Sequence, residues 1–323
     1  MKESLPSFKK ENQFLKENKF YNLWNNIMPF ITSNKTKLYF EESGKGEPII
    51  FVHEFAADLR EWKQQIQWFS REYRCIAFNA RGYPPSDVPD DPDEYGYEYA
   101  VQDLAQVISG LGIDKAHIVG LSMGAYAALI FGIKQPDMVS SLVLAGIGSG
   151  SFPAHKKEFI EATENIAQIF ETKGSKIAAE LLGNGSARVQ LLKKNPLGWI
   201  EFIEHLKGHS PIGSANTMKK FQAQRPSLFE YGDDLKNMTI PVLLLVGDED
   251  ELCLDVSMFL KRHIKSSGLS VFPQSGHAIN LEEPLMFNQE VHAFLSSVER
   301  GKWKQRDDNS IITNSSNLGL TSK

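Results

Sequence analysis

Short apolar runs alternate with segments of helical spacing over most of the chain. Continuous runs such as Ile49-Ile50-Phe51-Val52 are typical of strands that are covered on both faces. The pattern predicts strands over 36–41, 49–52, 75–78, 116–121, 141–145, 241–246 and 269–272. It predicts helices over 62–69, 97–111, 125–134, 256–263 and 282–298. This alternation indicates parallel crossovers and a doubly wound α/β sheet.

The alternation stops after the strand at 141–145 and resumes only at 241–246. The helical stretch between them is interpreted as a cap, residues 149–229, inserted into an α/β core of residues 35–148 and 230–299. Residues 1–34 are interpreted as an N-terminal extension, helical around 14–24. Residues 300–323 are polar and rich in Ser and Asn, which predicts a disordered tail.

Composition and charge exclude several classes of protein. The 323 residues are 41% hydrophobic and 23% charged, as in soluble enzymes. A net charge of -5 without a basic run argues against a nucleic-acid partner. No run reaches the ~18 apolar residues of a membrane span, and the N-terminus has no signal-peptide core, so we expect a cytoplasmic protein. Cys75 and Cys253 are expected to be reduced core thiols.

The strand at 116–121 leads into a Gly-x-Ser-x-Gly motif, Gly120-Leu121-Ser122-Met123-Gly124, which is followed by a small-residue helix. In this setting the motif predicts a sharp strand-to-helix elbow that exposes the serine hydroxyl. Bulky residues at the two glycine positions would keep the strand and the helix from packing closely. Ser122 is therefore the candidate nucleophile.

A base and an acid follow two later strands. His277 stands on the loop after the last strand, at the edge where α/β sheets place their sites; the alternative is a hydrogen-bonded surface histidine. After 241–246 the chain reads Gly247-Asp248-Glu249-Asp250-Glu251. Asp250 is the preferred acid, which would hold the imidazole in its correct tautomer. Asp248 is the alternative, with turn capping as its other role. The chain order of nucleophile, acid and base is that expected for this kind of fold.

From about residue 37 to residue 298 the chain resembles the capped, single-domain α/β-hydrolases. The resemblance is carried by the elbow Gly-Leu-Ser-Met-Gly, by residues 240–250 and by Ser275-Gly276-His277. It implies an eight-stranded, mostly parallel sheet with an inserted helical cap. The elbow is similar to those of enol-lactonases, C–C bond hydrolases and cofactor-free perhydrolases. It differs from those of epoxide hydrolases and haloalkane dehalogenases, whose nucleophile is aspartate.

The resemblance also implies an oxyanion hole formed by the backbone N–H groups of Phe55 and Met123. Family members usually carry His-Gly after the third strand, where this chain has His53-Glu54. Glu54 is expected to fix a water, to bind a cationic group of the substrate or to raise the pKa of His277. The alternative is an inward carboxylate tied to backbone N–H groups.

Several other residues have weaker claims to a function. Trp199 and Phe221 are candidates for the substrate pocket, although aromatic residues in a cap also form its own core. Arg81 is interpreted as a structural tie between loops, because a guanidinium satisfies several acceptors at once. His205 and His209 have a spacing that suits a metal on a helix, but no third ligand is spaced with them, so no metal is expected.

The sequence thus predicts a serine hydrolase that cleaves a small ester, thioester or lactone through an acyl-enzyme, without cofactor or metal. A C–C bond hydrolase or a perhydrolase with the same three residues stays open. So does a ligand receptor or scaffold on the same fold. The partner is a small-molecule substrate, and a homodimer is left open.

Overall fold

The computed structural model describes residues 29–307 and residue 310. At its centre lies a sheet of eight strands in the order β1-β2-β4-β3-β5-β6-β7-β8. Strands β1 and β2 run antiparallel to their neighbours, and the other strands pair in parallel. The strands are Phe30–Ser33 (β1), Thr36–Ser43 (β2), Pro48–Val52 (β3), Arg74–Phe78 (β4), Ala116–Leu121 (β5), Val139–Ala145 (β6), Val242–Gly247 (β7) and Ser267–Phe272 (β8). The predicted eight-stranded, mostly parallel sheet is confirmed.

Helices cover both faces of the sheet and fill the long connection between β6 and β7. The α-helices are Lys63–Phe69 (α1), Tyr97–Gly110 (α2), Met123–Lys134 (α3), Lys156–Gly183 (α4), Val189–Lys194 (α5), Pro196–Lys207 (α6), Pro211–Asn216 (α7), Gly232–Asn237 (α8), Glu251–His263 (α9), Ile279–Glu282 (α10) and Pro284–Glu299 (α11). Short 3-10 turns lie at Leu59–Trp62, Pro92–Glu94, Pro136–Met138, Pro153–His155, Ser186–Arg188 and Leu228–Tyr231, and a π-helix follows α7 at Thr217–Gln222. In the described part of the chain, no helix has the length and apolarity needed to cross a membrane.

The first strand lies inside the segment that the sequence assigned to the extension. β1 forms an antiparallel hairpin with β2, with Phe30 opposite Tyr39 and Ser33 opposite Thr36. Asn34 and Lys35 make the turn, both with positive φ. A strand of four residues is too short for its periodicity to stand out. The remainder of the extension, including the helix predicted around 14–24, lies outside the described residues.

The elements that carry the elbow lie at the centre of the core. All six residues of β5 are buried, as expected of a parallel strand with helices on both faces. Ten consecutive residues of α3, from Met123 to Gly132, are also buried. A helix that is buried on all sides reads as apolar all round, which explains its small and apolar sequence. The elbow between β5 and α3 is therefore held between two closely packed elements.

The chain beyond α11 is ordered further than the sequence predicts. The ring of Trp303 packs edge-on against Phe294 at 4.6 Å. Its indole N–H donates to the carbonyl oxygen of Ser266 at 2.7 Å, and the amide of Arg306 donates to the carbonyl of Lys265. One half-buried aromatic ring thus anchors an otherwise polar segment, and the predicted start of the tail at residue 300 is too early. Residues 308, 309 and 311–323 lie outside the described part.

Candidate active site

Ser122 occupies a strained backbone conformation at the junction of β5 and α3, with φ 53° and ψ -111°. Such values cost free energy in a non-glycine residue and occur mainly at functional sites. The flanking glycines permit the turn. A Cβ on Gly124 would lie 2.1 Å from the carbonyl oxygen of Val52, and one on Gly120 would lie 2.6 Å from the amide nitrogen of Ala125. The side chain of Ser122 is only partly buried, so its hydroxyl is available to a substrate.

His277 and Asp250 form a buried pair. Nδ1 of the imidazole lies 2.7 Å from Oδ2 of Asp250, and the two residues are 7% and 8% exposed. Because the carboxylate can only accept, Nδ1 carries the proton, and Nε2 is the nitrogen left to take a proton from a nucleophile. Asp248, the alternative acid, instead accepts a hydrogen bond from the amide of Ser275 at 3.1 Å. It stabilises the turn and does not contact the imidazole.

The same short segment after β6 adjoins both the serine and the histidine. The amide of Ser122 donates to the carbonyl of Ala145 at 2.8 Å. A Cβ on the next residue, Gly146, would lie 3.3 Å from the ring of His277. The elbow and the histidine loop therefore meet at the carboxyl edge of the central strands, where sheets of this type place their sites.

The charge of Asp250 sets the protonation of His277. Burial disfavours the imidazolium, but the negative charge of Asp250 and its hydrogen bond outweigh burial and raise the pKa of His277 well above its ordinary value. Sγ of Cys253 lies 3.9 Å from Nδ1, and burial raises the pKa of this thiol. Both cysteines are buried and free. Among the described residues, Asp250, Cys253 and His277 form the one group with enough converging donor atoms to hold a metal ion, and it contains the acid–base pair itself.

A buried carboxylate that the sequence analysis missed holds the histidine loop. Glu282 accepts hydrogen bonds from the amides of Gly276 at 2.6 Å and Ala278 at 3.1 Å, the residues on either side of His277. Burial raises the pKa of Glu282, although the two amides oppose this. No pattern in the sequence separates Glu282 from its half-exposed neighbour Glu283, so only the fold reveals its position.

Two backbone amides are available for an oxyanion hole. Among the hydrogen bonds of the described residues, neither the N–H of Phe55 nor that of Met123 donates to a protein acceptor. Met123 is the first residue of α3, where amides have no intrahelical partner and the helix dipole favours negative charge. These are the two donors that the resemblance implies.

Neighbouring side chains fix the loop that carries Phe55. His53 accepts a hydrogen bond from the amide of Ala80 at Nε2, 3.0 Å away, so Nδ1 carries the proton and donates to the carbonyl of Glu54 at 2.7 Å. Burial lowers the pKa of His53 to about 4, which keeps the ring neutral. The hydroxyl of Tyr83 donates to the carbonyl of Phe55 at 2.8 Å. The loop thus has a defined conformation without the usual glycine.

Glu54 is paired with an arginine rather than with backbone amides. Both of its carboxylate oxygens lie 2.6 Å from Nη2 of Arg188, and Oε2 lies 3.9 Å from Nε2 of His277. The two charged residues are 3% and 4% exposed. The alternative interpretation of Glu54, an inward carboxylate tied to backbone N–H groups, is therefore wrong. Arg188 was missed because it lies 134 positions away, in a helical segment without a motif.

Residues 186–194, here called the clamp segment, contact all three loops of the candidate site. Arg188 binds the oxyanion loop through Glu54. The side chain of Gln190 donates to Glu249, the neighbour of Asp250. Nζ of Lys194 lies 3.0 Å from Oγ of Ser275 on the histidine loop. The helical insertion between β6 and β7 therefore lies over the carboxyl edge of the sheet.

The two aromatic candidates occupy different places. The indole N–H of Trp199 donates to the carbonyl of Gly183 at 2.7 Å, a contact within the insertion. Phe221 is 4% exposed and packs edge-on against Tyr126 at 5.9 Å. Tyr126 stands one helical turn after Ser122, so Phe221 is the candidate that lies near the elbow.

Comparison with known proteins places this chain in a family. The sequence model of the family described as alpha/beta hydrolase fold matches residues 47–284, which include the elbow, both candidate acids and the histidine loop. The chain belongs to the α/β hydrolase family.

Relatives of this α/β hydrolase have diverse activities. It is 33% identical over 285 residues to epoxide hydrolase 1 of Caenorhabditis elegans, covering 84% of this chain and 70% of the relative. It is 26% identical over 293 residues to a 2-hydroxy-6-oxo-6-phenylhexa-2,4-dienoate hydrolase of Burkholderia cepacia, covering 83% and 96% of the two chains. Among solved structures, a thermophilic esterase from Thermogutta terrifontis is 27% identical with a TM-score of 0.74, covering 83% and 98%.

Proposed function

We propose that this α/β hydrolase is a serine hydrolase that cleaves esters, thioesters or lactones of small molecules through an acyl-enzyme on Ser122. The observation that carries the proposal is the buried hydrogen bond between Asp250 and His277, beside a serine held in a strained elbow. An imidazole with Nδ1 tied to a carboxylate can use Nε2 to deprotonate a hydroxyl that is placed beside it.

In the proposed mechanism, Oγ of Ser122 attacks the substrate carbonyl while Nε2 of His277 takes its proton. The amides of Phe55 and Met123 stabilise the oxyanion, and Asp250 stabilises the imidazolium. The tetrahedral intermediate collapses, and the imidazolium gives its proton to the leaving alcohol or thiol. Water then attacks the acyl-enzyme with His277 as base, which releases the acid and restores the serine hydroxyl.

The likeness to an epoxide hydrolase does not carry that activity to this chain. The proposed nucleophile is a serine, where epoxide hydrolases use an aspartate, and the oxyanion donors fit attack on a carbonyl carbon. Hydrolysis of a C–C bond is the second candidate, and the similarity to the dienoate hydrolase favours it. The same base and oxyanion donors would serve that reaction.

Initial rates on 4-nitrophenyl esters of increasing acyl length test the proposal. We expect turnover by the wild-type protein and a loss of roughly 10³-fold or more in kcat for Ser122→Ala. Ser109→Ala, at an exposed serine of α2, serves as the matched control and should retain full activity. Equal rates in Ser122→Ala and wild type would contradict the proposal. Turnover of vinylogous diketones but of no ester would select the second candidate, and ligand binding without any turnover would indicate a receptor.

A further inference from the structure

Three arginines are buried in the described part of the chain, and one of them has no carboxylate partner. Arg81 pairs with Asp103 through two hydrogen bonds of 2.8 and 2.7 Å. Arg188 pairs with Glu54 at 2.6 Å. Arg225 is just as buried, at 7% exposed, yet no described carboxylate lies within ion-pair distance of it. Buried charges in proteins are normally paired, so Arg225 is the exception that needs an explanation.

The surroundings of Arg225 satisfy only part of its guanidinium. Nη2 donates to the carbonyl of Ser149 at 2.6 Å. The guanidinium carbon lies 4.8 Å from the ring centre of Tyr126, 5.5 Å from that of Phe159 and 5.9 Å from that of Phe221. Aromatic faces stabilise a cation but accept no strong hydrogen bond. Nη1 is buried without an acceptor, which leaves both of its N–H donors unused.

Arg225 also remains charged at neutral pH. Burial lowers the pKa of its guanidinium to about 10, and the neighbouring Tyr126 and Cys253 oppose the shift. The carboxylates of the candidate site have other partners, because Glu54 binds Arg188 and Asp250 accepts a hydrogen bond from Nδ1 of His277. Arg225 is therefore a buried cation without an ion-pair partner among the described residues.

Intermediate residues connect the guanidinium to the elbow and to the histidine. Tyr126, over whose ring it stacks, lies in the first turn of α3, and its amide donates to the carbonyl of Ser122 at 2.9 Å. Oγ of Ser149, whose carbonyl binds Nη2, lies 3.4 Å from Sγ of Cys253. That sulfur lies 3.9 Å from Nδ1 of His277. A short chain of contacts thus joins Arg225 to the histidine.

We propose that Arg225 binds a carboxylate of the substrate, so that the preferred esters or lactones carry an ionised acid group besides the bond that is cleaved. The inference rests on the proposed serine hydrolase activity. The substrate carboxylate would accept from Nη1 and supply the missing counter-charge, while the aromatic rings contact the carbon chain between the carboxylate and the scissile carbonyl. A charged, hydrogen-bonded anchor of this kind discriminates strongly against neutral analogues, because they leave the buried cation unpaired.

Binding to the Ser122→Ala variant tests this inference without turnover. Isothermal titration would compare monomethyl esters of diacids from succinate to suberate with analogues in which a carboxamide replaces the free acid. We expect at least one chain length to bind about tenfold or more tightly as the acid. Arg225→Gln in the same background should abolish this preference, and Arg225→Lys should restore part of it. Arg300→Gln, at an exposed arginine, should leave it unchanged.

The outcomes distinguish failure of the carboxylate site from failure of the proposed serine hydrolase activity. Equal affinity for acid and amide at every chain length, or a preference that survives in Arg225→Gln, would overturn the carboxylate site. If the Arg225 variants fail to fold, the comparison of acid with amide in the Ser122→Ala protein still decides. A fluorophosphonate probe applied to the wild-type protein reports separately on Ser122. Labelling without a carboxylate preference would overturn this inference alone, and absence of labelling would overturn the proposed function.

Discussion

The two ring nitrogens of His277 have different neighbours, which gives them separate tasks in the proposed reaction. Nδ1 is bound to Asp250 at 2.7 Å, so Nε2 is the nitrogen that exchanges protons with Ser122 in the proposed reaction. Glu54 adds a second carboxylate 3.9 Å from Nε2. The proposed proton transfer therefore involves one imidazole with two carboxylates, one near each ring nitrogen.

The choice between the two candidate acids gives the first prediction. Asp250→Asn would present an amide to Nδ1, favour the wrong tautomer and lower kcat by roughly 10⁴-fold, the size of effect known for triads of this type. Asp248→Asn should keep kcat within about tenfold, because Asp248 contacts only the amide of Ser275. Steady-state kinetics of both variants on one ester provides the measurement. Equal losses would contradict the assignment of Asp250.

The second prediction concerns pH. His277 must be neutral to accept a proton, and its pKa is raised well above the usual value. We therefore expect kcat/KM to fall as the pH drops through a midpoint above about 6.5, the ordinary pKa of histidine. Glu54→Gln removes a negative charge near Nε2 and leaves the positive charge of Arg188 without its partner. Both effects favour the neutral form of the His277 ring.

In Glu54→Gln the acidic limb of the pH profile should thus move to lower pH. Glu283→Gln, at a half-exposed carboxylate bound to Lys194, serves as the control and should leave the limb in place. An unchanged limb in Glu54→Gln would show that this carboxylate does not act on His277.

Among the elements, short loops rather than helices carry the site, and buried carboxylates hold them. Glu282 at the end of α10 binds the two amides that flank His277. Glu61 accepts from the amide of Glu54 at 2.9 Å. Burial and the charge of Glu54 raise the pKa of Glu61. The sequence shows none of these contacts, because each depends on where the chain returns after folding.

The third prediction tests the support of the histidine loop. Glu282→Gln leaves one oxygen for two amide donors and turns the other acceptor into a donor, so the loop should loosen. We expect kcat to fall about 10- to 100-fold, with a loss of about 1–3 kcal/mol in the free energy of unfolding. Glu283→Gln, one residue further, should change neither quantity appreciably. Urea denaturation and kinetics measured side by side distinguish the two variants, and identical behaviour would contradict the role of Glu282.

The fourth prediction addresses the pair that joins the clamp segment to the oxyanion loop. Arg188→Met leaves Glu54 buried and unpaired, which should cost about 3–5 kcal/mol of unfolding free energy. In the double variant Glu54→Gln/Arg188→Met the cost should be clearly smaller than the sum of the single costs. As a control, Lys156→Met breaks the exposed pair with Glu230 and should cost at most about 1 kcal/mol. Additive costs in the Glu54–Arg188 cycle would show that the two side chains are not coupled.

At the scale of the whole molecule, much of the architecture follows from local patterns. Each of three features can be recognised from a few consecutive residues: the apolar runs, the Gly-x-Ser-x-Gly elbow and the histidine after the last strand. The family and the sheet predicted from them are confirmed. Features that depend on long-range contacts cannot be recognised in this way. The hairpin strand Phe30–Ser33, the packing of Trp303 and the pairing of Arg188 with Glu54 depend on partners distant in the sequence.

The insertion between β6 and β7 contacts the loops that form the candidate site. Through the clamp segment it contacts the oxyanion, acid and histidine loops, and through Arg225 it brings an unpaired cation to the same region. The apolar residues of its helices have ordinary helical spacing in the sequence. The contacts of these helices with the site loops can therefore be seen only in the folded structure. Substrate choice in the proposed enzyme therefore depends on the insertion, and the chemical step depends on the sheet.

Covalent labelling of Ser122 tests the central claim most directly. The folded protein would be treated with a fluorophosphonate, digested and mapped by mass spectrometry, with Ser122→Ala and His277→Ala treated in parallel. We predict one adduct, on the peptide that contains Ser122, absent in Ser122→Ala and strongly slowed in His277→Ala. No adduct on Ser122 in the folded wild-type protein, or undiminished labelling of another residue in Ser122→Ala, would contradict a serine hydrolase.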